Sequence, residues 1–270
     1  MKSNIQIHCL SIYFNNSTER SSILPTAKPF KLCKEEALGL RLCQWPGRAH
    51  IITKGKNLSY FLDGAHTSLS VQACRSWFET VSETQQKDLN ASKTSKILIF
   101  NTTKDRLPKQ LLAHFATCHF DKVIFTANLT RTEYSKNSDN TNHTASNIGQ
   151  LRRCEEHKVA WQELQYEKLL NNKSKLTSTA IQDVDEENCE TVNHPFQTPC
   201  YTTKTINDAL ELANSFAYET DGRDFKLVQV LVTGSIHLVG GVLKILDPDI
   251  FNRTDDEKEE MISEEYEKLD

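Results

Sequence analysis

The apolar positions of this chain alternate between two periods. Residues 49–53 and 58–62 are short β-rich runs on either side of Lys54-Gly55-Lys56-Asn57, a turn cluster that suits a hairpin. Cys74, Trp77, Phe78 and Val81 then recur at i, i+3, i+4 and i+7, which places one apolar face on a helix. Residues 96–100 form a continuous apolar run of buried-strand length, residues 108–117 suit a helix opening at proline, and Lys122–Thr126 reads as a second buried strand. Helical propensity over 151–170 follows, with His157 and Lys158 interrupting its apolar stripe. Toward the end, Ile206, Ala209, Leu210 and Ala213 keep helical spacing, residues 227–232 read as a buried strand, and Val239, Val242, Leu243 and Leu246 form a last helical stripe. Strands alternating with helices, joined by connections long enough for a crossover, predict an α/β fold: a Rossmann-like, mostly parallel sheet flanked by helices.

The polar stretches set the expected organisation. Residues 1–30 have no sustained period and read as a flexible leader or linker remnant, residues 32–42 have helical propensity, and Trp45-Pro46-Gly47 halts any helix. Residues 31–250 are expected to form one domain carrying polar surface insertions near 134–148 and 171–201, followed by an acidic tail over 251–270. There is no internal repeat and no sustained heptad run.

Composition narrows the class. An apolar fraction of 38% and a mean hydropathy of −0.52 fit a compact domain diluted by polar segments. The 36 acids against 32 bases leave no basic stripe, so no nucleic-acid partner is expected. No run approaches the roughly 18 to 20 apolar residues of a membrane span, and residues 1–10 do not read as a secretory signal. The eight cysteines, at 9, 33, 43, 74, 118, 154, 189 and 200, are dispersed without metal-binding spacing and read as reduced thiols of an intracellular protein.

Candidate chemistry lies at the carboxyl ends of the expected strands, where open α/β sheets bind ligands. Phe61-Leu62-Asp63-Gly64-Ala65-His66 closes a strand, with Gly64 allowing a tight exit. Asp63 suits a ribose hydroxyl or a neighbouring cation, and equally an Asx turn or helix cap. His66 suits a phosphate or adenine contact, or is a plain surface residue of a first helical turn. Arg48, after a Pro-Gly turn, suits phosphate oxygens or stands as an ordinary surface arginine. Asp105 and Arg106 follow the strand ending at Phe100, as ligand groups or as a solvated surface pair. Ser235 and His237 follow Gly234 at the start of the last helix, whose free amides suit a carboxylate or phosphate. For Gly240-Gly241, close helix packing is at least as good an explanation as a ligand. No metal ligand can be named.

Trp45-Pro46-Gly47-Arg48, the 61–66 segment, Phe100-Asn101-Thr102-Thr103-Lys104-Asp105-Arg106, residues 151–164 and Val232-Thr233-Gly234-Ser235-Ile236-His237-Leu238-Val239-Gly240-Gly241-Val242 occur in the order found in one family. Together they resemble the carboxyl-terminal domain of folylpolyglutamate synthase, of the Mur ligase family, over roughly residues 30 to 246. The resemblance implies a Mur-ligase-type carboxyl-terminal fold and an ATP-dependent ligase that joins L-glutamate to the γ-carboxyl of folates through an acyl phosphate, with Mg²⁺ on the phosphates. It assigns Arg48, Asp63 and His66 to ATP and Arg106 to glutamate, with Asp105, Ser235 and His237 as further candidates for the glutamate site. Lys104 departs from the glycine common in relatives, which puts the local turn in doubt. No Gly-x-x-x-x-Gly-Lys-Ser/Thr phosphate loop occurs in the 270 residues. The implied partners are folate, L-glutamate and either the family's amino-terminal ATPase domain, which supplies most metal ligands, or a full-length ligase. The implied compartment is cytoplasm, mitochondrion or both. The alternatives are a truncated, non-catalytic binding or regulatory module that pairs with a full-length ligase, and an incomplete gene model.

Overall fold

A computed structural model describes residues 33, 39, 45–103, 107–130, 147–177, 198–218 and 226–250. The expected leader, the acidic tail, and most of both expected insertions lie outside the described residues. The chain divides into two compact units, Gly47–Pro248 and a second made of Met1–Pro46 with Asp249–Asp270. All the elements below belong to the first.

Six strands form one sheet in the order β1-β2-β6-β3-β4-β5. β1 (His50–Lys54) and β2 (Leu58–Asp63) pair antiparallel from His50 opposite Leu62 to Lys54 opposite Leu58, joined by a turn in which Gly55 takes a φ of 66°. The other pairings are parallel, among β2, β3 (Lys93–Phe100), β4 (Lys122–Thr126), β5 (Cys200–Thr203) and β6 (Lys226–Thr233). β6 returns from the far edge to lie between β2 and β3, so the winding reverses there. In β3 and β4 the apolar runs are continuous, and in β6 Gln229 alone interrupts the run, because helices cover both faces.

Two groups of helices do the covering. α1 (Ser68–Asp88), α2 (Pro108–Ala113) and α3 (Asn147–Thr177) pack in succession, while α4 (Ile206–Tyr218) and α5 (Ile236–Leu246) pack on each other. Neighbouring side chains of a strand point to opposite faces, and β2 shows the division. Phe61 packs edge-on against Trp77 and Phe78 of α1, whereas Tyr60 donates its hydroxyl to Asn214 of α4 at 2.7 Å.

Three expectations change. The helix expected over 151–170 runs from Asn147 to Thr177, and a strand begins at Cys200, so the margins of the two expected insertions belong to the fold. His157 does not interrupt the apolar stripe of α3. It is fully buried on that stripe with Cys154 and Trp161, its Nε2 2.9 Å from Thr102 Oγ1 and its Nδ1 buried without a hydrogen-bond partner. The helix expected to reach residue 117 ends at Ala113, after which turns bring Phe115, Cys118 and Phe120 inward.

Candidate functional site

The carboxyl end of β2 is built around Gly64, whose N–H donates to the Gly47 carbonyl at 3.0 Å. Asp63 uses both carboxylate oxygens internally. Its Oδ2 accepts from the Ala49 N–H at 3.0 Å, and its Oδ1 accepts from the Ala65 N–H at 2.9 Å and stands 3.5 Å from Nη1 of Arg48. Burial pushes the Asp63 carboxyl above its ordinary value, against the opposing pull of the Ala49 amide, Arg48 and the Ala65 amide. The bond to Ala65 is the Asx turn that spacing allowed, and the bond to Ala49 fixes a residue held at a φ of 45°. Arg48 is the more open partner, its side chain 41% exposed against 16% for Asp63.

His66 completes this group. Its Nδ1 lies 3.0 Å from the Gly64 carbonyl, which can only accept, so Nδ1 carries the hydrogen of that bond and Nε2 is left to another partner. Its backbone N–H and that of Thr67 both donate to Ser70 Oγ, which closes the capping box at the start of α1. A Cβ on Gly64 would stand 3.1 Å from the Ile236 side chain and 3.5 Å from Arg48 Nη1, so glycine lets β2 and α5 approach here. Arg48, Asp63 and His66 thus gather about one residue.

A second, buried polar group spans the ends of β3, β4 and β6. Asn101 donates its side-chain N–H to the Thr126 carbonyl. Asn128 Nδ2 donates to Asn101 Oδ1 at 3.3 Å and to Ser235 Oγ at 3.4 Å, and the Asn128 backbone N–H donates to Gln150 Oε1 at 2.9 Å. Ser235 caps α5, accepting from the Leu238 N–H, and is 1% exposed. Gly234 before it takes a φ of 98°, and a Cβ there would overlap the Asn101 carbonyl oxygen and the Phe100 ring. Beside this group, Thr102 Oγ1 and His157 Nε2 lie 2.9 Å apart, and burial first, with Arg153 second, pushes the imidazole down to about 3.

Of the remaining sequence candidates, His237 is exposed in the first turn of α5, and Asp105 and Arg106 lie outside the described residues. Gly241 packs against Ile206 of α4, the close approach expected for the glycine pair, while a Cβ on Gly240 would meet open space. Sequence reasoning passed over Asn128 as a site residue and quoted Asn101 only as part of a motif. Both lie within two residues of a strand's carboxyl end, so the rule applied to Asp63 would have found them. Among the described residues no group of three or more His, Cys, Asp or Glu could hold a metal ion, and no helix is long and apolar enough to cross a membrane.

Comparison with known proteins finds folylpolyglutamate synthases. The chain is 31% identical over 247 residues to the mitochondrial folylpolyglutamate synthase of Homo sapiens, covering 83% of this chain and 42% of that one. It is 28% identical over 203 residues to a putative folylpolyglutamate synthase of Caenorhabditis elegans, covering 75% and 33%. It is 30% identical over 214 residues to a folylpolyglutamate synthase of Saccharomyces cerevisiae, covering 78% and 31%. The chain therefore spans well under half the length of these relatives. Among solved structures, a Mycobacterium tuberculosis folylpolyglutamate synthase complexed with ADP and AMPPCP matches with a TM-score of 0.42 and 14% identity, over 80% of this chain and 36% of that one. A bifunctional folylpolyglutamate synthase/dihydrofolate synthase of Yersinia pestis complexed with AMPPNP and Mn matches with a TM-score of 0.43 and 13% identity, over 80% and 35%. No family model matches.

Proposed function

We propose that this chain, a relative of the folylpolyglutamate synthases that corresponds to their carboxyl-terminal part, supplies one wall of an ATP-dependent carboxylate–amine ligase that adds L-glutamate to the γ-carboxyl of folates. One observation carries the reading: at the carboxyl end of β2, Asp63 holds a half-exposed Arg48 beside Gly64 and His66. A guanidinium presented there suits phosphate oxygens, where it would stabilise the charge that develops at a transferring phosphoryl group. Asp63 acts on this reading mainly by positioning Arg48 and the backbone, and His66 is left with Nε2 for the nucleotide. Ser235 and His237, at the amino end of α5, suit the incoming glutamate, and Asp105 and Arg106 are proposed for its carboxylates on the family resemblance.

ATP's phosphates would need Mg²⁺ to neutralise their charge during transfer. The described residues offer no ligand set for it, so the metal and the phosphate loop are assigned to an amino-terminal ATPase domain or a full-length ligase as partner. Exposed aliphatic side chains at Leu69, Ile148 and Ile236, each in the first turn of a helix, and at Leu107, which precedes α2, suit contact with such a partner. The cytoplasm, the mitochondrion or both are the proposed compartments. The alternative reading is a non-catalytic binding module that pairs with a full-length ligase.

The test is product formation from ATP, Mg²⁺, tetrahydrofolate and radiolabelled glutamate, by the purified chain alone and after adding a separately expressed amino-terminal domain. Positioning and electrostatics supply most of phosphoryl-transfer catalysis, so turnover is expected only in the mixture. Turnover by the chain alone would overturn the one-wall reading, and silence in both would favour the binding module.

A further inference from the structure

Two neighbouring side chains at the carboxyl edge are oppositely satisfied. Ser235 Oγ accepts from the Leu238 N–H at 3.5 Å and from Asn128 Nδ2 at 3.4 Å. Both of its acceptor positions are filled, which leaves its own O–H to donate. Asn128 spends its amide hydrogens on Ser235 Oγ and Asn101 Oδ1, yet its Oδ1 is buried without a hydrogen-bond partner, in a residue only 6% exposed. Turning the amide over gives no relief. Asn101 commits its own Nδ2 to the Thr126 carbonyl, so the reversed amide would set oxygen against oxygen.

A buried acceptor without a donor is costly, and native structures keep few of them without a use. Beside this acceptor stand the Ser235 hydroxyl and the opening amides of α5, an eleven-residue helix. One acceptor next to several donors matches the amino and carboxylate groups that an α-amino acid carries on one carbon. The geometry points to Asn128 as the residue that recognises the amino group of the incoming amino acid, its Oδ1 accepting an amine hydrogen while Ser235 and the start of α5 take the α-carboxylate. This rests on the glutamate reading of Ser235 given above. A neutral amide oxygen accepts most strongly from the ammonium form and still accepts from the free amine, and it brings no negative charge that would hold a nucleophilic nitrogen protonated. Asn101, and Gln150 through the Asn128 backbone N–H, are positioning residues for this group.

Calorimetric binding of L-glutamate and of glutarate, which keeps both carboxylates and lacks the amine, tests this on the full chain. The wild-type chain is expected to bind glutarate about tenfold to a hundredfold more weakly than glutamate, the worth of one charge-assisted hydrogen bond. Asn128→Ala should erase that preference while still binding glutarate measurably, which also shows that the variant is folded. Ser235→Ala should weaken both ligands alike. Equal binding of the two ligands by the wild-type chain would overturn the role of Asn128, a buried water then being the partner of its Oδ1, and would leave the glutamate site standing. Preference retained in Asn128→Ala would overturn the role as well. Binding of neither ligand would overturn the glutamate reading and this inference with it.

Discussion

Arg48 and Asp63 share an ion pair but hold different things. Removing the Arg48 side chain leaves the Asp63 carboxylate bonded to two backbone amides, so Arg48→Ala should change stability by no more than about 1 kcal/mol, the range of a partly exposed pair. Asp63→Ala strips the Ala49 and Ala65 amides of their acceptor, and should cost about 2 kcal/mol or more. On the proposed reading both variants weaken ATP binding, since Asp63 positions Arg48, but only Asp63→Ala should also shift the urea midpoint of the chain. Equal midpoint shifts in the two variants would contradict this division. Gly234 is the other residue with no tolerance. Its φ of 98° and the Asn101 carbonyl and Phe100 ring in the path of any Cβ predict that Gly234→Ala loses about 2 to 4 kcal/mol. A melting temperature within a degree or two of wild type would show that the loop relaxes more than the packing suggests.

At the scale of elements, β3, β4 and β6 were readable because each is a largely apolar run covered on both faces, with Gln229 the one polar break in β6, and α1, α4 and α5 because their stripes keep helical spacing. β5 escaped because it is an edge strand. Its Cys-Tyr-Thr-Thr is half-buried throughout and carries no apolar run to read. His157 was misread because polarity stood in for exposure, whereas the imidazole is buried with its Nε2 against the Thr102 hydroxyl, a partner 55 residues away. Gln229 shows the same limit inside β6. It is fully buried and donates to the Ser82 carbonyl and to Gln85 Oε1, a pairing across 144 residues that no local pattern encodes. Asp63 and His66 were legible from a strand end and a glycine, whereas Arg48, after a Pro-Gly turn, was singled out by the family resemblance. The Asn101–Asn128–Ser235 group was only partly so, because asparagine in a loop usually signals a turn. The start of α1 bears a direct test. Thr67 and Ser70 form its capping box, so Thr67→Ala should cost about 1 kcal/mol, read from the thermal melt. An unchanged melt would mean that the Ser70 bonds to His66 and Thr67 suffice to start the helix.

Over the whole molecule, buried titratable groups bound the pH range in which the Gly47–Pro248 unit is stable. His157 is held neutral by burial, with Arg153 adding to the effect, and titrates at about 3 instead of 6.5. The unfolded chain therefore binds a proton that the folded chain refuses. Stability is whole above pH 6.5 and is lost as pH falls toward 3, at up to about 1.4 kcal/mol per pH unit. Asp63 has the opposite sign. Its carboxyl, raised by burial, contributes stability that is fully present below pH 3.8 and is lost as pH rises through the folded value, so it offsets part of that loss. On the alkaline side, burial pushes the Cys118 and Cys154 thiols up to about 12 and that of the half-buried Cys200 to about 11, from an ordinary 9.0. Folding there keeps protons that the unfolded chain gives up, so stability is present below pH 9 and declines as pH rises through the folded values. These groups predict a plateau from about pH 6.5 to 9. Urea midpoints from pH 4 to 10 would trace it, and His157→Gln, which keeps a polar partner for Thr102 without a group that titrates in this range, should flatten the acid limb and leave the alkaline limb unchanged. An acid limb of equal slope in wild type and variant would assign the loss to the carboxylates and remove His157 from the account.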